Sequence, residues 1–189
     1  NRAVMDLFDP GSAFKIVMAA GALESGLISL DEPIDCEGGR FYPYGSRLVR
    51  DTHPARVLPF WLAFAESSNI ATVKLAAHLG PREFYEWIRR FGFGEKTGTQ
   101  FPREQTGIVL PLKQWSRDSI VALPLGQGIS VTLLQLARAH AAIANGGLLI
   151  EPYVVEKAVS PDGHVTYQHE PPPPRRILHE STARMMMEI

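Results

Sequence analysis

Much of what would mark the commoner protein chemistries is missing from this chain. Its 189 residues include a single cysteine, Cys36, so no disulfide framework can form within it. Neither sign of charge is in excess: 19 basic residues stand against 20 acidic ones, a formal net charge of -1. That excludes a nucleic-acid binder relying on a strongly basic surface, and equally a highly charged disordered chain. Long hydrophobic runs are absent. The longest, Ile16–Leu23 and Val57–Ala65, fall far short of a membrane span, and Pro59 interrupts the second. No basic segment leads into an apolar one after Asn1, so no signal peptide is visible. No glycine is followed directly by Lys-Ser or Lys-Thr, and Gly92-x-Gly94 lacks the third glycine of a dinucleotide loop. The 6 histidines show no ligand spacing, so no metal is expected. What remains is 45% hydrophobic and 21% charged, an ordinary composition for a globular protein with a core.

The punctuation of the chain predicts a mainly helical protein. Asp9-Pro10-Gly11 signals a turn, with Ser12 as N-cap of a buried helix to about Ser25, closed by Gly26. Residues 31–56, with Gly38-Gly39, Pro43, Gly45 and His53-Pro54, read as a long loop of the kind that carries function. Further helices are expected over Val57–Glu66, over Asn69–Leu79 closed by Gly80, and from Pro81 through Phe91 with Phe84, Trp87 and Ile88 on one face. Residues 92–112 read as loop. A helix follows over Thr132–Ala144 and ends at Asn145-Gly146-Gly147. Leu148–Val159 and Val165–Gln168 look like strands joined at Pro161-Asp162-Gly163, and Pro171–Pro174 is a stiff connector. The three tryptophans Trp61, Trp87 and Trp115 are read as packing residues. Ser181–Ile189 reads as a helix without a terminator. The expectation is therefore a piece of a longer protein, cut at both ends, with any anchor outside it.

Two short patterns carry the candidate chemistry. In Ser12-Ala13-Phe14-Lys15 the serine and lysine lie about one helical turn apart, and the serine sits at the positive end of the helix dipole. Among Phe14, Ile16 and Val17 the lysine should be partly desolvated, which lowers its pKa. A neutral lysine can take the serine's proton and so activate it as a nucleophile. The plain alternative is a capping serine and an unrelated surface lysine. With 11 serines and 5 lysines, chance supplies roughly 0.3 such pairs. In Ser67-Ser68-Asn69, between two helices, Ser67 offers a hydroxyl relay and Asn69 an amide that can donate and accept. Capping is the default for such residues. Each pattern occurs once, and in this order.

Ser-x-x-Lys followed by Ser-x-Asn is part of the signature of serine β-lactamases and penicillin-binding proteins. The flanks sharpen the likeness. Asn1-Arg2-Ala3-Val4, Asp9-Pro10-Gly11-Ser12-Ala13-Phe14-Lys15, Glu66-Ser67-Ser68-Asn69-Ile70-Ala71, Arg90-Phe91-Gly92-Phe93-Gly94, Gly126-Gln127-Gly128-Ile129-Ser130-Val131-Thr132 and Leu133-Leu134-Gln135-Leu136-Ala137 resemble the transpeptidase domains of class B penicillin-binding proteins, the division-specific (septal) type most. The resemblance is detailed from residue 1 to about 150 and looser to 189. It implies an α+β, penicillin-binding transpeptidase or serine β-lactamase-like fold, here mostly the helical subdomain with a late antiparallel hairpin. It implies a peptidoglycan D,D-transpeptidase working through a serine acyl-enzyme. Ser12 would be the nucleophile, Lys15 the base and Ser67 the proton relay. Asn69 would bind substrate, with Gly126, Gln127 and Gly128 beside it. No cofactor or metal is needed. The implied partners are peptidoglycan stem peptides, β-lactams, and divisome or elongation proteins including a glycosyltransferase, at the extracytoplasmic face of the cell membrane, with no nucleic acid.

Lys96-Thr97-Gly98 imitates the family's third motif, but Gly92, Gly94, Gly98 and Pro102 leave no strand pattern around it. It is read as a structural loop, with the working triplet expected beyond Ile189 and the isolated piece expected to be inactive. Arg103 stands where the family usually has glycine, which puts the local turn in question. Two alternatives stay open: a related serine acyl-enzyme (D,D-carboxypeptidase, β-lactamase or β-lactam sensor), or a catalytically incomplete scaffold module of the divisome.

Overall fold

The computed structural model describes residues 1–43 and 47–189. Gly45 of the expected loop lies outside the described residues. The fold is mixed α and β, and its centre is a helix with almost no polar face. Helix α2 (Lys15–Glu24) buries Lys15 through Leu23. It is enclosed by α4 (Asn69–Leu79), α5 (Pro81–Arg90) and α8 (Glu180–Met187). Gly21 allows the close approach of α2 and α5: a Cβ there would lie 2.8 Å from the Trp87 ring. Phe14, Phe84, Phe91 and Phe93 fill the same core, and Phe14 meets Phe93 edge to face at 5.0 Å. Trp87 is buried and Trp115 packs against Phe84 and Tyr85, whereas Trp61 is 41% exposed and is not a packing residue.

The capping signals account for the helix boundaries. Ser68 caps α4 by accepting from Ala71 N–H, Pro81 opens α5, and Thr132 with Gln135 forms a capping box on α7 (Leu133–Ala144). Several expectations need correcting. Ser12 is not an N-cap: it lies inside a 3₁₀ turn, Gly11–Phe14, that runs straight into α2. The expected helix over Val57–Glu66 divides, because Pro59 adopts an extended conformation before α3 (Phe60–Ala65). The loop over 31–56 contains short strands: β1 (Pro33–Asp35), β2 (Arg40–Phe41) and β3 (Val49–Arg50). β1 pairs with β4 (Val57–Pro59), and β2 with β3. A helix not expected from the sequence, α6 (Arg117–Ala122), opens on its own capping box at Ser116.

The single long strand expected over Leu148–Val159 is two. β5 (Leu148–Leu149) pairs with β8 (Arg175–Arg176), while β6 (Lys157–Val159) forms the hairpin with β7 (Val165–Gln168). All ladders among the described residues are two-stranded and antiparallel. Among the described residues no helix is long and apolar enough to cross a membrane. Arg103 takes a left-handed conformation, φ 62°, so the turn keeps the shape that would suit glycine.

Candidate active site

Three segments meet around Lys15. The first is the 3₁₀ turn holding Ser12, whose side chain is exposed. Asp9 and Gly11, just before it, are tied to residues more than a hundred positions away. Gly11 N–H donates to Gly126 O at 3.1 Å, Ser130 Oγ donates to Asp9 Oδ1 at 3.2 Å, and Phe8 bridges Val131. Gly126 and Gly11 touch main chain to main chain: a Cβ on Gly126 would lie 2.1 Å from Gly11 O. Gly126 is thus buried beneath the turn, while Gln127 and Gly128 are exposed beside it. Gln127 Oε1 accepts from the Arg47 guanidinium at 2.8 Å.

The second segment is the link between α3 and α4. Here the chain ends α3 with paired hydrogen bonds, Ser67 N–H to Phe64 O and Ser68 N–H to Ala63 O, both 2.8 Å. This is the Schellman arrangement, which wants a left-handed residue at the position Ser67 fills. Helices α2 and α7 close in the same way with Gly26 and Gly146 at that position. Ser67, with φ 57°, takes the glycine conformation with a side chain attached. Its neighbour Asn69 is the first residue of α4.

Lys15 is 2% exposed and its Nζ makes hydrogen bonds only to this link among the described residues. It donates to Ser67 O at 2.6 Å, Ser67 Oγ at 2.9 Å and Asn69 Oδ1 at 2.7 Å. Burial pulls its pKa from 10.5 down to about 8, and the nearby Asp51 carboxylate opposes that shift.

The third segment is the end of β3. Arg50 O accepts from Asn69 Nδ2 at 2.7 Å. Asp51 accepts from Asn69 N–H at 2.7 Å, Ile70 N–H at 3.1 Å and the Ser68 hydroxyl at 2.7 Å. No sequence pattern marks Asp51; a lone aspartate in an irregular stretch has no spacing to betray it.

The structure thus brings Lys15, Ser67 and Asn69 together and sets Ser12 one turn before the lysine. Lys96-Thr97-Gly98 lies in a loop. Thr97 is buried, and its N–H and hydroxyl both donate to Glu104 Oε1, at 2.6 and 2.5 Å. A Cβ on Gly98 would lie 2.3 Å from the Glu151 carboxylate.

Known proteins share this arrangement of sequence and fold. The chain is 40% identical over its whole length to the penicillin-binding protein PbpB of Mycolicibacterium smegmatis, and covers 29% of that protein. It is 35% identical, again over its whole length, to the probable peptidoglycan D,D-transpeptidase PenA of Neisseria meningitidis, covering 30% of it. The crystal structure of penicillin-binding protein 3 from Mycobacterium tuberculosis complexed with ampicillin superposes with a TM-score of 0.89 at 38% identity, over 97% of this chain and 40% of that one. The chain therefore spans about three-tenths of the length of these curated relatives. All of it, residues 1–189, matches the penicillin-binding protein transpeptidase domain, and the chain belongs to that family.

Proposed function

We propose that the protein is a serine D,D-transpeptidase that joins peptidoglycan stem peptides through an ester on Ser12. The observation that carries this reading is the buried Lys15 ammonium, lowered to about 8 and held by Ser67 and Asn69. With that pKa, about one lysine in ten is neutral at pH 7. A neutral amine keeps two N–H donors and gains a lone pair. Ser67 O and Asn69 Oδ1 can only accept, so they retain the two donors. The hydroxyl of Ser67 is the partner that can reverse and donate to Nζ. The neutral state is therefore a lysine base wired to a serine hydroxyl.

Ser12 Oγ attacks the carbonyl of the penultimate D-Ala, and its proton passes to the Lys15 lone pair as the Ser67 hydroxyl turns away from Nζ. The resulting ammonium returns a proton through Ser67 to the nitrogen of the departing D-Ala as the C–N bond breaks. An amine of a second stem peptide then attacks the ester carbonyl and gives up a proton to Lys15; the bond to Ser12 breaks as its Oγ takes that proton, which frees the enzyme and leaves the cross-link. The Ser12 N–H, in the first turn of the helix, suits one half of an oxyanion hole. Asn69 holds the substrate backbone, with Gln127 and Gly128 at the rim, and Gly126 serves by supporting the nucleophile turn. A β-lactam carries the same kind of carbonyl and acylates the same serine. The peptidoglycan named for the relatives favours work on the extracytoplasmic face of the membrane; the proposed partners are division or elongation proteins and a glycosyltransferase, and no nucleic acid, cofactor or metal enters the scheme. The family's third motif is not needed at Lys96-Thr97-Gly98, and the 189 residues alone are expected to acylate poorly.

The test is covalent labelling of the intact gene product with a fluorescent penicillin, followed by peptide mapping by mass spectrometry. A single adduct on Ser12 is expected. An adduct on Ser67, or none at all, overturns the reading.

A further inference from the structure

We propose that Asp51 is a positioning residue of this site: from the end of β3 it fixes Asn69 and the start of α4, and it places a fixed anion beside the lysine base. The inference rests on the acylation reading above, but its geometry stands apart from that. Asn69 can help to hold Lys15 only if its carbonyl faces the ammonium. Nothing in an isolated asparagine makes that choice. Here the Arg50 carbonyl makes it, and Asp51 holds the backbone from which the amide springs. Arg50 O takes Asn69 Nδ2–H, which leaves Oδ1 for Lys15 at 2.7 Å. The Asp51 carboxylate binds the two backbone N–H groups of Asn69 and Ile70 and the Ser68 hydroxyl. Ser68 Oγ in turn accepts from Ala71 N–H at 3.0 Å. The first turn of α4 is therefore held by one carboxylate and one hydroxyl acting in series. The strand end thus sets the Asn69 side chain through Arg50 O and the Asn69 backbone through Asp51.

The second role is electrostatic. Lys15 is desolvated, and the charged group that acts on it is Asp51, which favours the ammonium. Two other charged groups of this region, Lys74 and Asp35, have partners of their own. Lys74 pairs with Glu37 at 2.6 Å and Asp35 pairs with Arg56 at 3.3 Å. Asp51 thus opposes the fall in the Lys15 pKa and favours the ammonium, the form that returns a proton once the amine has taken one.

The experiment uses the intact gene product, labelled with ¹³Cε-lysine, in three forms beside the parent: Asp51→Asn, Asp51→Ala and Ser68→Ala. NMR titration of Lys15 needs no acylation, so it reads the proposal even if the penicillin assay is silent, which would count against the proposed function instead. The Asp51→Asn side chain keeps its carbonyl for the N–H groups but loses the charge. The Lys15 midpoint is expected to move down from about 8 in that variant. It is expected to stay at the parental value in Ser68→Ala, which weakens the cap and leaves the anion. Asp51→Ala also frees the Asn69 and Ile70 N–H groups and the Ser68 hydroxyl, and acylation is expected to fall by about 10²-fold, the scale of a small misplacement of a catalytic group. A Lys15 midpoint unchanged in Asp51→Asn overturns the electrostatic role. Acylation within about threefold of the parent in folded Asp51→Ala overturns the positioning role.

Discussion

Replacing Ser67 by glycine, and separately by alanine, divides this residue into its hydroxyl and its Cβ. Both variants lose the hydrogen bond to Lys15 Nζ, so their difference reports the backbone alone. At φ 57° a side chain crowds the following carbonyl, a cost of about 1–2 kcal/mol. Glycine removes that cost but has more freedom to lose on folding, about 0.5–1 kcal/mol. The glycine variant should therefore be more stable than the alanine variant by roughly 0.5–1 kcal/mol. Gly26 supplies an internal reference. It fills the same position in the same motif with φ 68°, and an added Cβ would meet nothing within 4 Å. Gly26→Ala should be destabilised by a similar amount. Denaturant unfolding with a probe of this domain, on the intact gene product, gives the stabilities, and a fluorescent penicillin gives the acylation rate. Both Ser67 variants should acylate about 10²-fold or more slowly than the parent. An alanine variant at least as stable as the glycine variant would refute the claim that the site stores backbone strain here.

Lys15→Met should abolish acylation, by about 10²–10⁴-fold, and should make the protein more stable at neutral pH. The folded pKa of about 8 lies below the 10.5 of the exposed side chain, so between those values the unfolded chain binds the extra proton. The cost of burying the ammonium, up to about 3 kcal/mol, is fully present below pH 8 and is relieved as pH rises towards 10.5. The stability gap between Lys15→Met and the parent, measured by denaturant unfolding from pH 7 to 10, should close accordingly. In the parent, the acylation rate should climb with pH through about 8, and a flat profile from 6 to 9 would argue against Lys15 as the base. Lys96→Ala, at an exposed loop position, should leave acylation within about threefold of the parent. Gly126→Ala should impair both folding and acylation, because its Cβ would be driven into Gly11 O at a positive φ; a variant with normal melting and labelling would show that the two loops can part.

How far the sequence spoke for itself depended on distance along the chain. Where a boundary is set by neighbours, it was readable: Asn69–Leu79 and Pro81–Arg90 follow from Gly80, Pro81 and the capping serine before them. The strands of two or three residues were not, since they hold too few side chains to show a period and exist only through partners elsewhere. Pro59 misled for a local reason: its extended conformation belongs to β4 although apolar residues continue on either side. In the site, the spacing of Ser12 and Lys15 and the Ser67-x-Asn69 pattern were legible. That the lysine would spend its donors on the second pattern was a tertiary fact, and the part played by Asp51 even more so.

The ties of the turn that carries Ser12 bear on the order of folding. Asp9 is bonded to a residue 121 positions away, and Gly11 and Phe8 are fastened across similar separations. Loops of that size close slowly and reward nothing until they have closed. Helices α2, α4 and α5, by contrast, pack on one another across shorter separations. During refolding, helical signal should return first, with the core still settling. Penicillin labelling should return last, when the two ends of that long loop find one another. Refolding molecules can then pass through a state that looks complete by circular dichroism and yet has Ser12 out of place.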